Sequence, residues 1–150
     1  LTTDSSGNIF ATGSTQGDLG GQTHSGDKDA FVMKYDADGN TSWTKLLGTT
    51  SPDEGFGLTT DGAGSVYAGG VTEGSLGEQS NSGGEDAFIA KYASDGQEAW
   101  VRQLGTQSSD DIKGLVTSDD GFIYAGGQTS GNLAGETNIG SADGFIRRLK

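Results

Sequence analysis

Short runs in which apolar, small and polar residues alternate are the main structural signal of this chain. In the middle of the sequence they occupy residues 65–72, 86–92 and 98–104, and the second run is rich in β-branched and aromatic residues. No stretch places apolar residues at helical spacing over three turns. A two-residue period is typical of β-strands. We therefore predict an all-β chain, in which the small residues Ala68 and Gly70 allow another backbone to approach closely.

Turn-forming residues separate these runs. Residues 61–64 begin with Asp and end with Gly, and residues 94–96 read Ser-Asp-Gly, which is typical of hairpin turns. A further strand is predicted around Leu58–Asp61, and a loop at 73–85 leads to the third strand. These four strands form one predicted antiparallel sheet.

The same pattern recurs at a fixed interval of 57 residues. Residues 1–57 and 58–114 agree at 28 of 57 positions without a gap, and residues 115–150 repeat the first part of the unit. A small sheet with two apolar faces needs neighbours to cover them. We therefore predict three β-propeller blades with these boundaries, which together form an open or partial propeller in one domain. The third blade ends before its fourth strand.

Four motifs carry a family resemblance. They are Gly-Asn-Ile-Phe-Ala-Thr-Gly-Ser-Thr at 7–15, Gly-x-Leu-Gly at 17–20, Asp-Ala-Phe-Val-x-Lys-Tyr-Asp-x-x-Gly at 29–39 and Trp-x-x-x-Leu-Gly-Thr at 43–49. In this order they closely resemble the SBBP family of β-propeller repeats, over the whole chain. The resemblance implies a propeller in bacterial proteins that are mostly secreted or surface-exposed. It implies no agreed activity and no catalytic residues.

A second likeness concerns tryptophan. The Gly-x-x-x-Trp spacing at 39–43 and 96–100 resembles the tryptophan-docking motif of quinoprotein propellers. We interpret it as shared blade geometry and not as evidence for a quinone cofactor.

Composition narrows the functional classes. The 150 residues include 28 Gly and no Cys, and 21 acidic against 9 basic side chains give a net charge of −12. The lack of Cys excludes disulfides, thiolate metal sites and Cys nucleophiles. The acidic excess disfavours nucleic acids and anionic membranes, because it repels phosphate. No apolar run approaches the roughly 18 residues that span a bilayer, so we expect a soluble or already processed chain.

Repeated carboxylates are the first candidates for chemistry. Asp29, Asp86 and Asp143 each precede a third strand. Equivalent positions of a propeller surround one axis, so a ring of acids could bind Ca²⁺ or a polyhydroxy ligand. A structural hydrogen bond to a loop backbone would recur in the same way, and we favour it. Residues 36–40 resemble the start of a calcium loop but lack the acid at position 12, where Leu47 stands, so we interpret them as a hairpin turn.

Two further sets recur with the same spacing. The basic residues Lys34, Lys91 and Arg148 lie in the third strand of each unit. We expect them to pair with a repeated carboxylate or to shield a sheet face. Trp43 and Trp100 are expected to wedge between blades rather than to face sugars.

The single histidine, His24, does not support hydrolase chemistry. Its equivalents are Asn81 and Asn138, and no Gly-x-Ser-x-Gly elbow lies between a strand and a helix. We interpret His24 as a polar loop residue. No catalytic or cofactor-binding residue is predicted, and the identity of any metal ligands stays open.

These observations favour a non-enzymatic structural or interaction module of a secreted or cell-surface bacterial protein. The alternatives are a Ca²⁺-dependent carbohydrate-binding propeller and, third, a glycan hydrolase or lyase with paired acids. The expected partners are other blades of the parent chain or copies of this one, with a protein or glycan ligand as a further option. Three blades cannot close a ring, so the end faces near Leu1 and near residues 145–150 are predicted to be apolar and unpaired.

Overall fold

The structure, a computed structural model, describes residues 1–149. Eleven strands in this range form three antiparallel sheets, which confirms the all-β prediction. Residue 150, the last residue of the predicted third blade and of its end face, lies outside the described residues. Within residues 1–149, no helix has the length and apolar character needed to cross a membrane.

The strands follow one another along the chain with short turns and one long loop per sheet. They are β1 (Thr2–Thr3), β2 (Ile9–Thr15), β3 (Asp29–Tyr35), β4 (Thr41–Leu47), β5 (Asp53–Thr60), β6 (Val66–Thr72), β7 (Asp86–Tyr92), β8 (Glu98–Leu104), β9 (Asp110–Thr117), β10 (Ile123–Thr129) and β11 (Asp143–Leu149). The first sheet contains β1–β4, the second β5–β8 and the third β9–β11, with consecutive strands as neighbours.

The bounds of β7 and β8 agree with the predicted third and fourth strands, whereas β5 is longer than its predicted counterpart. It begins at Asp53, whose backbone N–H donates a 2.7 Å hydrogen bond to the carbonyl of Lys28 in front of the first sheet's third strand. The start of β5 is therefore fixed by another sheet and not by its local pattern. The sequence boundary between residues 57 and 58 falls inside this strand, and the division at that boundary stays a prediction.

The three sheets stack face to face in chain order, as blades of a partial propeller. β5 contacts β1, β2 and β3 of the first sheet, and β9 contacts β5, β6 and β7. The first strand of the second sheet thus adjoins the first strands of both other sheets.

The core lies between the sheets because alternate residues of each strand face opposite neighbours. On β7, Phe88 and Tyr92 join the apolar cluster shared with the first sheet, and Ala87 and Ile89 join the cluster shared with the third. All four are fully buried or nearly so. A strand buried on both faces explains why the sequence there is apolar at successive positions.

Gly70 confirms the predicted close approach of two backbones. The pairing of β5 with β6 shifts register between Gly55 and Gly57, and this bulge brings the carbonyl oxygen of Glu54 against the Cα of Gly70. A Cβ at this position would collide with that oxygen. The glycine is therefore required by the bulge and not by its own torsion angles.

Candidate interaction site at the open third sheet

The repeated aspartates in front of the third strands hold their loops. One carboxylate oxygen of each accepts a hydrogen bond from the backbone N–H four residues earlier. The pairs are Ser25 with Asp29 at 2.9 Å, Ser82 with Asp86 at 2.8 Å and Ile139 with Asp143 at 2.8 Å. Asp29 and Asp86 are fully buried, whereas Asp143, in the third sheet, is only partly buried. A structural hydrogen bond of this kind, between the repeated aspartate and a loop backbone, is the role that we predicted from the sequence.

Asp53 and Asp110, at the starts of β5 and β9, were not predicted from sequence. Each is buried and accepts hydrogen bonds from both the N–H and the hydroxyl of the threonine four residues earlier. The distances are 2.6 and 3.1 Å from Thr49 to Asp53, and 2.6 and 2.8 Å from Thr106 to Asp110. The available signal was the Thr-x-x-x-Asp spacing, which recurs at 49–53 and 106–110.

The two kinds of aspartate meet where one sheet stacks on the next. The backbone N–H of Asp110 donates to the carbonyl of Glu85 at 2.7 Å, as that of Asp53 does to Lys28, so each strand start lies beside the aspartate of the preceding sheet. Burial raises the pKa of Asp53; hydrogen bonds from Thr72 and Thr49 oppose this effect, and the negative charge of Asp29 adds to it.

Acidic and histidine side chains do not cluster in the described part of the chain. In residues 1–149, no three side chains of His, Asp or Glu lie close enough together to hold a metal ion. The calcium-like segment at 36–40 forms a hairpin turn, in which one oxygen of Asp36 accepts hydrogen bonds from the N–H groups of Asp38 at 3.0 Å and Asn40 at 2.8 Å. Hydrogen bonds from Asn40 lower the pKa of Asp36.

The repeated basic residues lie over aromatic rings. Lys34 Nζ is 5.5 Å from the centroid of Phe10, Lys91 Nζ is 4.9 Å from that of Tyr67, and the Arg148 guanidinium is 4.6 Å from that of Phe122. Lys91 Nζ also lies 3.8 Å from a carboxylate oxygen of Asp61. Lys34 and Lys91 thus cover aromatic rings of the second strands, whereas Arg148 covers a ring in the turn before β10. Lys91 also pairs with a carboxylate of a turn.

Both tryptophans lie between sheets. The ring of Trp43 is 6.1 Å from those of Phe10 and Tyr92, and its Nε1–H donates to the carbonyl of Ser94 in the second sheet at 3.2 Å. Trp100 packs against the cluster between the second and third sheets. His24 lies in a loop, where its backbone N–H donates to Asp18 at 3.0 Å.

The outer face of the third sheet is where apolar side chains remain uncovered. Ile146 is 81% exposed, whereas Val32 and Ile89, at the equivalent positions of the first and second sheets, are 2% and 0% exposed. Val116 on β9 is 57% exposed, and its equivalent Thr59 is 8% exposed. The open face is defined here by Ile146 and Val116. The position of Ile146 is buried in both other sheets, and that of Val116 is buried in the second sheet.

Leu1, at the other end of the chain, is 91% exposed, in keeping with an uncovered first sheet. Phe145 does not share in this exposure, because its side chain points inward and packs against the cluster with the second sheet. The prediction of an apolar end face at 145–150 is therefore met on β11 by Ile146 alone, because Arg147 and Arg148 are exposed and charged and Leu149 is partly buried.

Comparison with protein families is consistent with this architecture. The family model described as "Beta-propeller repeat" (SBBP) matches residues 42–78 and 99–134. The chain carries SBBP β-propeller repeats. Each matched SBBP segment begins in or beside the fourth strand of one sheet and ends in the loop after the second strand of the next, so it spans the boundary at which two sheets stack. Asp53 and Asp110 fall inside these two segments.

A longer protein shares this sequence pattern. Regulatory protein FlaEY of Caulobacter vibrioides is 27% identical over 136 residues, in an alignment that covers 85% of this SBBP-repeat chain and 14% of that protein. The chain thus spans about one seventh of the length of this relative.

Proposed function

We propose that this chain is a non-enzymatic structural or interaction module of a secreted or cell-surface bacterial protein, and that its open face binds a further sheet of the same repeat. The observation that carries the proposal is the 81% exposure of Ile146 at a position that is buried in both other sheets. The aspartates that recur before the third strands are engaged in loop hydrogen bonds, which supports a structural role for them.

The first sheet offers a matching surface. Phe31, Met33 and Tyr35 occupy the positions of Phe88, Ala90 and Tyr92, which in the second sheet are nearly fully buried against the preceding sheet. The three residues of the first sheet are only partly buried. In a solution of the isolated chain, a second copy can supply this sheet to the open face. Association of that kind is head-to-tail, because two different surfaces meet.

The mass of the isolated chain in solution tests the proposal. We expect light scattering to show association that increases with concentration, and Ile146→Glu to shift the chain towards the monomer, because a charge would be buried at the contact. Ile139→Glu is the matched control: Ile139 is 93% exposed but lies in the loop before β11.

A wild-type chain that stays monomeric at all concentrations would overturn the proposal. So would an Ile139→Glu variant that dissociates as readily as Ile146→Glu. The proposed location rests on the resemblance to a family whose members are mostly secreted or surface-exposed. Fractionation of cells that produce the parent protein tests it, and recovery in the cytoplasm alone would contradict it.

A further inference from the structure

Two buried aspartates lie close together where the first sheet meets the second. Asp29 and Asp53 are both 0% exposed. The carboxylate of Asp29 lies against Gly48, where a Cβ would collide with it, and that of Asp53 accepts hydrogen bonds from the next residue, Thr49. The two acids therefore flank one short segment of the chain. A buried carboxylate is costly unless a positive charge, a proton or several hydrogen bonds compensate for its charge.

Basic side chains do not compensate for this pair of aspartates. In residues 1–149, neither of the two carboxylates forms an ion pair. Lys28, the neighbour of Asp29 in the chain, places its Nζ 2.7 Å from a carboxylate oxygen of Glu54 on β5 instead. The negative charges of Asp27 and Glu73 also act on Lys28. The basic residue at this boundary is thus engaged by other acids.

One oxygen of each aspartate is left without a donor. The Oδ2 atoms accept the loop hydrogen bonds described above, whereas Oδ1 of Asp29 and Oδ1 of Asp53 are buried and have no hydrogen bond of good geometry in the described part of the chain. The hydroxyl of Thr72, which acts to lower the pKa of Asp53, donates to the carbonyl of Gly74 at 3.3 Å. A single proton would make one of these carboxyl groups a donor and the other its acceptor.

We propose that Asp29 and Asp53 share one proton at pH values at which an ordinary aspartate is ionised, and that its release weakens the contact between the first two sheets. With the proton bound, the O–H of one carboxyl group donates to the carboxylate of the other. When the proton passes to water, two negative charges remain in a buried site. Burial and the charge of Asp29, which raise the pKa of Asp53, act in this direction. The contact proposed for the open face is not involved, because it lies on the third sheet.

The boundary between the second and third sheets differs by one donor. Asp86 and Asp110 stand at the equivalent positions and are 0% and 1% exposed. The side-chain amide of Gln103 donates to Oδ2 of Asp86 at 3.1 Å, in addition to the backbone N–H from the loop. The first sheet has Leu46 at the position of Gln103. Because an extra donor favours the charged form of a carboxyl group, we assign the shared proton to the first boundary and use the second as its internal reference.

Amide hydrogen exchange measures the two boundaries separately. The N–H of Asp53 bonds to Lys28 and that of Asp110 to Glu85, each at 2.7 Å across its boundary. Closing the first boundary takes up a proton between the ordinary pKa near 3.8 and the raised one, so stability falls as the pH rises through this range. In the 150-residue chain, we expect the protection factor of the Asp53 amide to fall by up to about tenfold per pH unit there, and that of Asp110 to change less.

NMR titration of the carboxyl carbons shows the protonation directly. We expect the pair to lose its last proton at a higher pH than an aspartate in a short peptide. Asp29→Asn supplies a permanent N–H donor in place of the shared proton, so the protection of the Asp53 amide should no longer depend on pH in this range. Loss of both protons at the ordinary value would overturn the proposal. Protection factors of Asp53 and Asp110 that stay parallel throughout would do the same.

Leu46→Gln gives the first boundary the donor that the second has. We expect it to lower the affinity of the pair for its last proton by about tenfold, because a hydrogen bond to the carboxylate favours the charged form. Gln103→Leu is the matched control, since it removes the donor of the second sheet and should leave the titration of Asp29 and Asp53 unchanged. An unchanged or higher proton affinity in a Leu46→Gln variant that is folded by circular dichroism contradicts the proposal.

His24 is the titratable side chain beside Ser25, which donates to Asp29, and its Nδ1 lies 3.7 Å from a carboxylate oxygen of Asp18. His24→Asn introduces the residue found at the equivalent positions 81 and 138. We expect this variant to keep the pH dependence of the Asp53 amide. Loss of that dependence would assign it to the imidazole and overturn the shared proton, whereas self-association measured by light scattering would be unaffected.

Discussion

At the scale of single residues, buried polar groups differ in whether they have partners. Tyr67 and Tyr92 both have rings that pack near a tryptophan, at 6.1 Å in each case. The hydroxyl of Tyr67 donates to a carboxylate oxygen of Asp61 at 3.1 Å. The hydroxyl of Tyr92 is buried without a hydrogen-bond partner in the described part of the chain, and burial raises its pKa. Similar side chains thus contribute differently to stability.

We predict that Tyr92→Phe leaves the free energy of unfolding unchanged or raises it by about 1 kcal/mol, because it removes an unpaired buried hydroxyl. Tyr67→Phe is the matched control and should lower stability by about 1 kcal/mol, since it leaves Asp61 without a donor. Urea denaturation measures both. A Tyr92→Phe variant as unstable as Tyr67→Phe would show that the Tyr92 hydroxyl has a partner in solution.

The raised pKa of Asp53 predicts how the stability of the chain depends on pH. Its pKa is raised in the folded state, chiefly by burial, so its favourable contribution is complete below the ordinary value near 3.8 and is lost as the pH rises through the raised value. Asp53→Asn removes this loss and retains an oxygen for Thr49. We expect the stability of the variant relative to wild type to be greater at pH 7 than at pH 3.5.

Asp61→Asn should show the opposite trend. Burial acts to raise the pKa of Asp61, but hydrogen bonds from Ser65, Tyr67 and Ala63 outweigh it and lower the pKa. Its contribution is therefore present above the ordinary value and lost as the pH falls. Thermal unfolding of both variants between pH 3 and 7 measures the trends. Parallel curves for the two variants would contradict the assignment.

At the scale of the strand, the bulge in the pairing of β5 with β6 leaves no room for a Cβ at position 70. We predict that Gly70→Ala lowers the free energy of unfolding by about 1–3 kcal/mol, because the Glu54 carbonyl must move to admit a Cβ. Gly62→Ala is the matched control, since a Cβ there meets no atom within 4 Å. Chemical denaturation of both compares them, and equal stability would mean that the bulge is readily displaced.

The strands also differ in how well their bounds can be predicted from sequence. β7 and β8 were located within their observed bounds because alternation and flanking turns are local signals. The start of β5 was not located in this way, because the first hydrogen bond of this strand is made with Lys28, which lies before β3 in the chain. Asp53 and Asp110 were missed for the same reason, since their burial arises only when two sheets stack. The incomplete repeat predicts that the third sheet has an open face. It does not predict that Ile146 is exposed on this face while Phe145 faces inward.

At the scale of the whole molecule, the three sheets differ in how much of their surface is packed against other sheets. The second sheet is packed on both faces, and every residue of β6 is buried. The third sheet is packed on one face and has a free edge, and Asp143–Leu149 contains no fully buried residue. In stacked repeats, stability is close to a sum of unit and interface contributions. The third sheet should therefore open before the second.

Native-state hydrogen exchange measures this difference. We expect the slowest amide exchange in β6 and β7 and the fastest strand exchange in β11, because local opening needs less free energy where fewer apolar contacts are lost. Ile146→Glu should leave the exchange of β6 unchanged when the chain is monomeric. Uniform protection of all three sheets would indicate instead that the described chain unfolds as a single cooperative unit.

The constant register of the repeat has a consequence for how such proteins change in length. Residues 53 and 110, which are 57 positions apart, both begin a first strand and both have the same hydrogen bonds to the preceding threonine and the preceding sheet. An in-frame duplication of residues 53–109 would insert a whole sheet and would keep the threonine–aspartate spacing at the start of each first strand. Unequal recombination between neighbouring copies of the gene segment would delete a whole sheet in the same way. Single genetic events of this kind would change the number of blades while preserving the hydrogen bonds at every strand start.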